Sequence, residues 1–402
     1  MRIRMFAAFA AAALVVAAPM GAQSGSPPSS VTTPSLPVII GERTTFRSTV
    51  LGAEYPIVIY RPGGYERTTE RYPLLVLLDG DGHFHHATGV VDFLVANQRI
   101  PPMIVVGVGN RNRTRDLTPP TDDPQMRGRA GGADQFLRFL GDELIPYIDQ
   151  TNRTLDYRIL VGHSFGGLFA LHALTTRPEV FDGYIAISPS TWWNQQSLVA
   201  GLPAFLTKHR DLRASIFMTT GNEGGDMLTS AQRIADILKR DAPPTVQWEF
   251  HHMPAESHGS IPHRSLYDGL EAMFADLRLE LDTTARTVTD LERRYQTLSE
   301  KYGYTIPVTE PMINRFGYLL LGRRLHAEAI AVFTVNTERY PQSANTFDSL
   351  GDAYEASGDL QRARTSFARA VELARRNNDP VHDVSAEKLS SVTARLGTSA
   401  GP

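Results

Sequence analysis

The feature that most constrains the fold is a regular alternation of short apolar runs with helical patterns. Seven apolar or β-branched runs predict strands: Ile57–Tyr60, Leu74–Leu78, Ile104–Val108, Ile159–Val161, Tyr184–Ile187, Ile216–Thr219 and Val246–Phe250. Helical spacing of apolar residues lies between several of them, for example over Leu168–Leu174. Strands that alternate with helices are typical of parallel βαβ units, and continuous apolar strands indicate a sheet covered on both faces. The sequence therefore predicts an α/β fold with a doubly wound, mostly parallel sheet over residues 37–282.

Charge and cysteine content narrow the function classes. The chain has 40 Lys and Arg against 43 Asp and Glu, which gives no electrostatic reason for binding nucleic acid. It has no cysteine, which excludes thiolate metal sites, a Cys nucleophile and a lipid-modified Cys anchor. The classes that remain are soluble enzymes and binding proteins.

The N-terminus has the pattern of a secretory signal peptide. Arg2 and Arg4 precede the apolar run Met5–Ala18, and small residues follow at Gly21 and Ala22. The alternative is a membrane anchor, but a spanning helix needs about 20 apolar residues. The sequence predicts a signal peptide over 1–22, a flexible leader over 23–36, and a periplasmic or secreted protein without a membrane span.

A nucleophile turn follows the strand that ends at Val161. Gly162-His163-Ser164-Phe165-Gly166 matches G-x-S-x-G and lies between a predicted strand and a predicted helix. In this context the serine occupies a strained turn that exposes its hydroxyl at the helix N-terminus. The sequence therefore predicts Ser164 as a nucleophile and the Phe165 N–H as an oxyanion donor. The alternative is a glycine-rich packing turn.

A serine hydroxyl needs a base, and in this topology the acid and then the histidine follow the serine in chain order. His258 follows the strand Val246–Phe250 and is the predicted base. The preceding strand runs into Glu223 and Asp226, which both qualify as the acid. Glu223 is preferred because it is nearer to the strand end, whereas Asp226 could cap the next helix.

The second oxyanion donor should lie in the turn after Leu74–Leu78. Gly80 or Asp81 could supply the N–H, although a plain turn is the alternative. His83, His85 and His86 follow, and they raise the possibility of a metal site. Their spacing suits no standard closed site, so the sequence predicts neither a metal nor a cofactor.

Five motifs in order resemble the "putative esterase" family of α/β-hydrolases related to esterase D, in the branch with siderophore esterases. They are L-L-D-G-D-G-H-F (77–84), N-R-T-R-D-L-T-P-P (112–120), G-H-S-F-G-G (162–167), S-P-S-T-W-W-N (188–194) and E-S-H-G-S (256–260). The resemblance implies a metal-independent serine esterase with Ser164 as nucleophile, His258 as base and an acid at Glu223. It also places Arg115, Trp192 and Trp193 near the substrate. The alternatives are packing for the tryptophans and simple solvation for the arginine.

The last third repeats itself with an offset of 34 residues. Gly317, Ala329 and Phe333 align with Gly351, Ala363 and Phe367. The period and pattern resemble tetratricopeptide repeats over 309–396, joined to the first domain by a connecting helix within 283–308. Two repeats and a final helix are few for an autonomous array, which favours packing on the hydrolase domain or a second subunit over a peptide-binding groove.

The sequence as a whole predicts a secreted carboxylic-ester hydrolase that forms an acyl-enzyme on a small-molecule ester, which could be a siderophore trilactone. A carbohydrate or feruloyl-type esterase or an acyltransferase would use the same site. A tetratricopeptide binding protein with a non-catalytic hydrolase scaffold is the alternative from another class. A homo-oligomer or a protein partner bound through the repeats stays open.

Overall fold

A twisted sheet organises the first two thirds of the chain. The computed structural model describes residues 37–67, 69–278, 283–377 and 379–398, so the predicted signal peptide (1–22) and leader (23–36) lie outside the described residues. Within the described residues, eight strands form the sheet: β1 (Glu42–Ser48), β2 (Ala53–Tyr60), β3 (Tyr72–Leu77), β4 (Ile104–Val108), β5 (Thr154–His163), β6 (Gly183–Ile187), β7 (Ala214–Thr220) and β8 (Val246–His252).

The strand order is β1-β2-β4-β3-β5-β6-β7-β8. β2 is antiparallel to both of its neighbours, and all pairs from β4 to β8 are parallel. The predicted mostly parallel sheet is thus confirmed, and each predicted strand lies on an observed one. The structure adds β1, an edge strand whose first four residues are charged or polar and exposed. Such a strand has no apolar run to reveal it, and its charges protect the sheet edge.

Helices cover both faces of the sheet. In the hydrolase part they are α1 (Gly80–Ala96), α2 (Arg113–Leu117), α3 (Ala133–Arg138), α4 (Ile145–Thr151), α5 (Phe165–Thr176), α6 (Trp193–Lys208), α7 (Gly225–Asp241) and α8 (Ile261–Met273). A π-helical segment, Phe139–Leu144, joins α3 to α4, and short 3-10 turns lie at Tyr65–Arg67, Pro124–Met126 and Ala275–Leu277. The glycine-rich segment that begins at Gly80 was expected to be a turn, and in the structure it forms the first turn of the long helix α1.

The alternation of side chains along β3 explains the two cores. Leu74 and Val76 point into a cluster that α3 to α7 cover, whereas Leu75 and Leu77 point into a second cluster that α1 and α8 cover. Successive strand residues face opposite sides, so a strand that is apolar at every position needs both layers. This is the physical basis of the doubly wound fold.

The C-terminal third is helical and consists of α9 (Val288–Tyr302), α10 (Glu310–Gly322), α11 (His326–Arg339), α12 (Ala344–Ser357), α13 (Leu360–Asn377) and α14 (Val381–Thr398). The helix α9 lies within the segment 283–308, where a connecting helix was expected. A Cβ at Gly317 would lie 2.5 Å from the ring of Phe333, and a Cβ at Gly351 would lie 2.5 Å from the ring of Phe367. The same glycine–phenylalanine contact thus occurs in both helical hairpins, 34 residues apart.

These helices pack on the hydrolase part. The second core runs without interruption from Leu75 in β3 to Ala353 in α12. A hydrogen bond joins α9 to α8: the hydroxyl of Tyr302, the last residue of α9, donates to the carbonyl of Met273, the last residue of α8, at 2.9 Å. From Ile40 onward the chain forms one unit, as the short repeat count favours.

Candidate active site

The predicted turn at Ser164 is a strained elbow. Ser164 has φ 61° and ψ −115°, a conformation that residues with a side chain rarely adopt. A Cβ at Gly162 would lie 2.2 Å from the carbonyl oxygen of Gly166, and one at Gly167 would lie 2.9 Å from that of Ile187. The glycines are therefore required by close backbone contacts. The strain places the hydroxyl between β5 and α5, as a nucleophile requires.

Hydrogen bonds tie the elbow to the segment after β6. The Ser164 N–H donates to the carbonyl of Ile187 at 2.9 Å, and the Ser190 N–H donates to the carbonyl of Ser164 at 3.1 Å. Among the described residues, the one hydrogen-bond partner of the Ser164 hydroxyl is Ser190 Oγ at 3.4 Å, and no bond joins it to His258. A long or absent nucleophile–base bond is common in a site without substrate.

His258 and Glu223 form the hydrogen-bonded histidine–carboxylate pair that a triad needs. His258 Nδ1 lies 2.8 Å from Glu223 Oε1. The loop that holds His258 is tied to the end of β7, because the Asn222 N–H donates to the carbonyl of Glu256 at 2.8 Å. Asp226, the alternative acid, is exposed in the first turn of α7. The geometry therefore favours Glu223 as the partner of the histidine.

The environment of Glu223 keeps its carboxylate ionised. Burial, with 12% of the side chain exposed, opposes the charge. The nearby Ser188 hydroxyl, His258 and the Glu223 backbone N–H favour it, and together they hold the pKa of Glu223 below its ordinary value. A carboxylate in this state can orient the imidazole and stabilise the cation that forms on it.

Two helix N-termini supply N–H groups near the elbow. Phe165 is the first residue of α5 and Gly80 is the first of α1, so neither N–H has an acceptor within its own helix. The turn before α1 contacts the elbow: a Cβ at Gly166 would lie 3.4 Å from Asp79 Oδ2. The side chain of Asp81 is directed to Arg43, at 3.3 Å. Phe165 and the Gly80–Asp81 turn remain the predicted oxyanion donors.

Asp79 and Arg113 brace this turn, and sequence reasoning missed both. Asp79 is buried with φ 54°, and Arg113 binds it through two bonds of 2.6 and 2.9 Å. The guanidinium also donates to the carbonyl of His163 at 3.1 Å. The one signal in the sequence was the position of Asp79, two residues after the end of β3. The predicted Arg115 instead pairs with Asp116 at 2.7 Å and contacts the Tyr55 hydroxyl.

The two adjacent tryptophans have different environments. Trp193 is 4% exposed, and its indole N–H donates to the carbonyl of Pro119 at 3.0 Å, so it packs beneath its loop. Trp192 is 39% exposed, and its ring centroid lies 6.2 Å from that of Phe165. Trp192 is therefore the one that can form a wall beside the elbow.

The histidines considered for a metal do not form a ligand set. His83 Nδ1 lies 2.9 Å from His86 Nε2, and His85 is exposed. Among the residues that the structure describes, no group of three His, Asp or Glu side chains could hold a metal ion. His83 lies instead beside His163, which precedes the nucleophile, and His86 lies beside His83.

A cavity of about 610 Å³ lies away from these residues, between the amino ends of the strands and the C-terminal helices. Its lining includes Tyr72 and Leu155 at the amino ends of their strands and Tyr304 and Met312 of the C-terminal third. Ligands of open α/β sheets bind at the carboxyl ends of the strands. Ser164, Glu223 and His258 all follow carboxyl ends, so they lie at the edge of the sheet where such ligands bind, and the cavity does not.

Comparison with known proteins finds relatives that are named as esterases. The chain is 30% identical over 220 residues to the ferri-bacillibactin esterase BesA of Bacillus subtilis, an alignment that covers 47% of this chain and 74% of BesA. It is 39% identical over 131 residues to the siderophore enterobactin esterase of Emericella nidulans, which covers 28% of this chain and 43% of that protein. The chain thus spans less than half of the fungal relative.

Structural comparison extends the likeness. The crystal structure of an IroE-like serine hydrolase from Shewanella oneidensis superposes with a TM-score of 0.65 at 28% identity, over 74% of this chain and 99% of that one. The sequence profile of the family described as "Putative esterase" matches residues 48–260, just over half of the chain. The strained serine elbow, the histidine–carboxylate pair and these matches agree, and the chain belongs to this esterase family.

Proposed function

We propose that the protein is a serine hydrolase of carboxylic esters in which Ser164, His258 and Glu223 form the catalytic triad. The observation that carries the proposal is the 2.8 Å contact between His258 Nδ1 and Glu223 Oε1, which follow the carboxyl ends of β8 and β7 at the same edge of the sheet as the elbow. A serine held at φ 61° costs stability, and such strain is typical of functional sites rather than of a scaffold without catalysis. This argues against the reading of the chain as a binding protein alone.

Acylation begins when His258 Nε2 accepts the hydroxyl proton of Ser164. The serine oxygen uses an electron pair to form a bond to the ester carbonyl carbon, and the π electron pair of the C=O bond passes to the carbonyl oxygen. The N–H groups of Phe165 and of the Gly80–Asp81 turn stabilise that oxyanion. When the tetrahedral intermediate collapses, the C–O bond to the alcohol breaks and the histidine returns its proton to the leaving oxygen. The product is an acyl-enzyme and a free alcohol.

Deacylation repeats these steps with water. His258 accepts a proton from the water as its oxygen attacks the acyl carbon, and Glu223 stabilises the imidazolium that forms. Ser164 is then the leaving group and recovers the proton from the imidazolium. The acid product departs, and no metal or cofactor takes part. Each proton transfer uses the same ring nitrogen of His258.

Siderophore-type esters are the proposed substrate class. The curated relatives named above carry siderophore names, and the entrance of the site offers chemistry that suits such a ligand. The exposed ring of Trp192 provides an aromatic surface, and the Arg113 guanidinium lies 5.7 Å from the ring centroid of Phe165. These aromatic faces suit an aromatic acyl group, whereas the charge of Arg113 is already balanced by Asp79.

The test is hydrolysis of a substrate panel by the purified protein. It contains a catecholate trilactone with and without ferric iron, a feruloyl ester and p-nitrophenyl acetate, with the Ser164→Ala variant as control. The expected result is the highest kcat/KM on the trilactone and no turnover by the variant. Preference for the feruloyl ester would revise the substrate class. Undiminished turnover by Ser164→Ala would overturn the triad itself.

Export is also part of the proposal. Arg2 and Arg4 before the apolar run Met5–Ala18 support removal of residues 1–22. Within the described residues no helix is both long and apolar enough to cross a membrane. Fractionation of expressing cells, with mass spectrometry of the N-terminus, should place a shortened protein outside the cytoplasm. Protein that stays in the cytoplasm with its N-terminus intact would contradict export.

A further inference from the structure

A row of histidines extends from the proposed base past the nucleophile turn. The ring centroid of His163 lies 4.4 Å from that of His258, with 45° between the planes. The ring of His83 follows at 5.9 Å from His163, and that of His86 lies 5.1 Å from His83. His263 lies 5.5 Å beyond His86. The triad uses the first ring of this row only, and the role of the second is unassigned.

His163 has the environment of an uncharged ring. Its Nε2 is buried and has no hydrogen-bond partner among the described residues, so a proton added there would have no acceptor. The groups that face it are His258, His83, Asp79 and Arg113. Burial, reinforced by the first two, lowers the pKa of His163 to about 4, while Asp79 and Arg113 neutralise each other as an ion pair.

A single hydrogen bond does not fix the orientation of the base. The bond from His258 Nδ1 to Glu223 sets the direction of the ring but leaves it free to rotate about that bond. The side chain of His258 is 39% exposed, so solvent does not restrain it. His163 is the ring that packs closely on it and limits this rotation. Because His163 directly precedes Ser164, the same backbone places both the restraint and the nucleophile.

We propose that the neutral imidazole of His163 is a positioning residue that holds the ring of His258 with Nε2 directed at Ser164. The proposal rests on the triad proposed above. Neutrality matters because His258 becomes a cation during each turnover, and a second positive charge in contact with it would oppose that step. An uncharged ring with a polarisable face restrains the imidazolium without repelling it.

The test compares two substitutions that differ in the ring alone. His163→Ala removes it, and His163→Phe keeps a neutral ring of similar width. His85→Ala, an exposed change one turn away from the site on α1, is the control. The measurements are kcat and KM on p-nitrophenyl acetate, the rate of fluorophosphonate labelling, and the melting temperature of each variant.

Misplacement of a catalytic group can cost about 10²-fold in rate. We therefore expect His163→Ala to lower kcat and the labelling rate at least tenfold with KM nearly unchanged. His163→Phe should stay within about threefold of the parent protein, as the rotational restraint requires. A parental kcat in folded His163→Ala would overturn the proposal. The proposal would also be overturned if kcat of His163→Phe were as low as that of His163→Ala, because a neutral ring at this position would then not restore the rate.

A measurement on the unaltered protein keeps the test independent of how the variants fold. Titration of the imidazole Cε1–H signals by nuclear magnetic resonance should show His163 uncharged at pH 6. A midpoint above pH 6 would overturn the proposal. Failure of the triad is a different result: the parent protein would not react with fluorophosphonate, or Ser164→Ala would still react. If the parent protein is active and the substitutions at His163 leave kcat unchanged, the positioning role is overturned and the triad is not.

Discussion

Replacement of the triad acid by its amide, Glu223→Gln, separates the two carboxylates that the sequence left open. The substitution keeps the size of the side chain and removes its charge. Glu223 Oε1 now accepts from His258 Nδ1 at 2.8 Å, and its charge favours the imidazolium that forms in each step. A glutamine amide can instead donate to Nδ1 and stabilise the tautomer with a proton on Nε2. That tautomer cannot accept the serine proton.

The size of the effect follows from the distance. With about 4 Å between the two charge centres and an effective dielectric constant of about 20, the attraction is about 4 kcal/mol. Loss of about 4 kcal/mol from transition-state stabilisation lowers the rate about 10³-fold. The wrong tautomer adds to this loss, and the equivalent Asp-to-Asn change in a serine protease costs about 10⁴ in kcat. We expect kcat to fall by about 10³- to 10⁴-fold, with KM little changed.

The assay is kcat on p-nitrophenyl acetate together with the rate of fluorophosphonate labelling. Asp226→Asn is the matched control, because it removes a charge only three residues away and from an exposed first helical turn. That variant should stay within about twofold of the parent protein, as surface substitutions have small effects. The reasoning would be refuted if folded Glu223→Gln kept a tenth of the parental kcat. It would be refuted equally if Asp226→Asn caused the larger loss.

Three further predictions follow. Ser164→Ala should abolish fluorophosphonate labelling and leave the melting temperature within a few degrees, and label found on another serine would reassign the nucleophile. Gly317→Ala should destabilise the protein by about 1–3 kcal/mol, because its Cβ would lie 2.5 Å from Phe333, whereas Gly322→Ala meets no atom within 4 Å and should melt as the parent does. Turnover of p-nitrophenyl acetate should survive chelation, because every proton transfer of the proposed mechanism passes through His258 and none needs a metal ion; activity lost to a chelator and restored by one divalent ion would contradict it.

The parts of the fold and site that were predictable rest on local signals. Continuous apolar strands revealed seven of the eight described strands, and a glycine on each side of Ser164 revealed the elbow. The chain order of a parallel sheet then placed Glu223 and His258 at neighbouring strand ends. Chain order could not separate Glu223 from Asp226, because both follow β7. The three-dimensional path of the loop, which brings Glu223 onto the imidazole, separates them.

The parts that were not predictable depend on contacts between distant segments. The ion pair of Asp79 with Arg113 joins residues 34 positions apart, and neither residue has a local pattern that reveals it. Trp192 and Trp193 are adjacent in sequence, so no periodicity could indicate that one is exposed and the other buried. Strand β1 is charged and polar, and only its pairing with β2 makes it a strand.

The C-terminal helices hold two helices, α1 and α8, that border the proposed site. α1 begins at the proposed oxyanion turn and α8 begins just after His258, so the amino ends of both helices border the site. Their far ends are held by the C-terminal third. Arg315 donates to the carbonyl of Asn97 behind α1 at 3.1 Å, and Tyr302 donates to that of Met273 at the end of α8 at 2.9 Å. The C-terminal third supplies none of the proposed catalytic groups, yet α9 and α10 hold the far ends of the two helices that border the proposed site. Damage to their packing should therefore lower stability well before it lowers the rate of the chemical step.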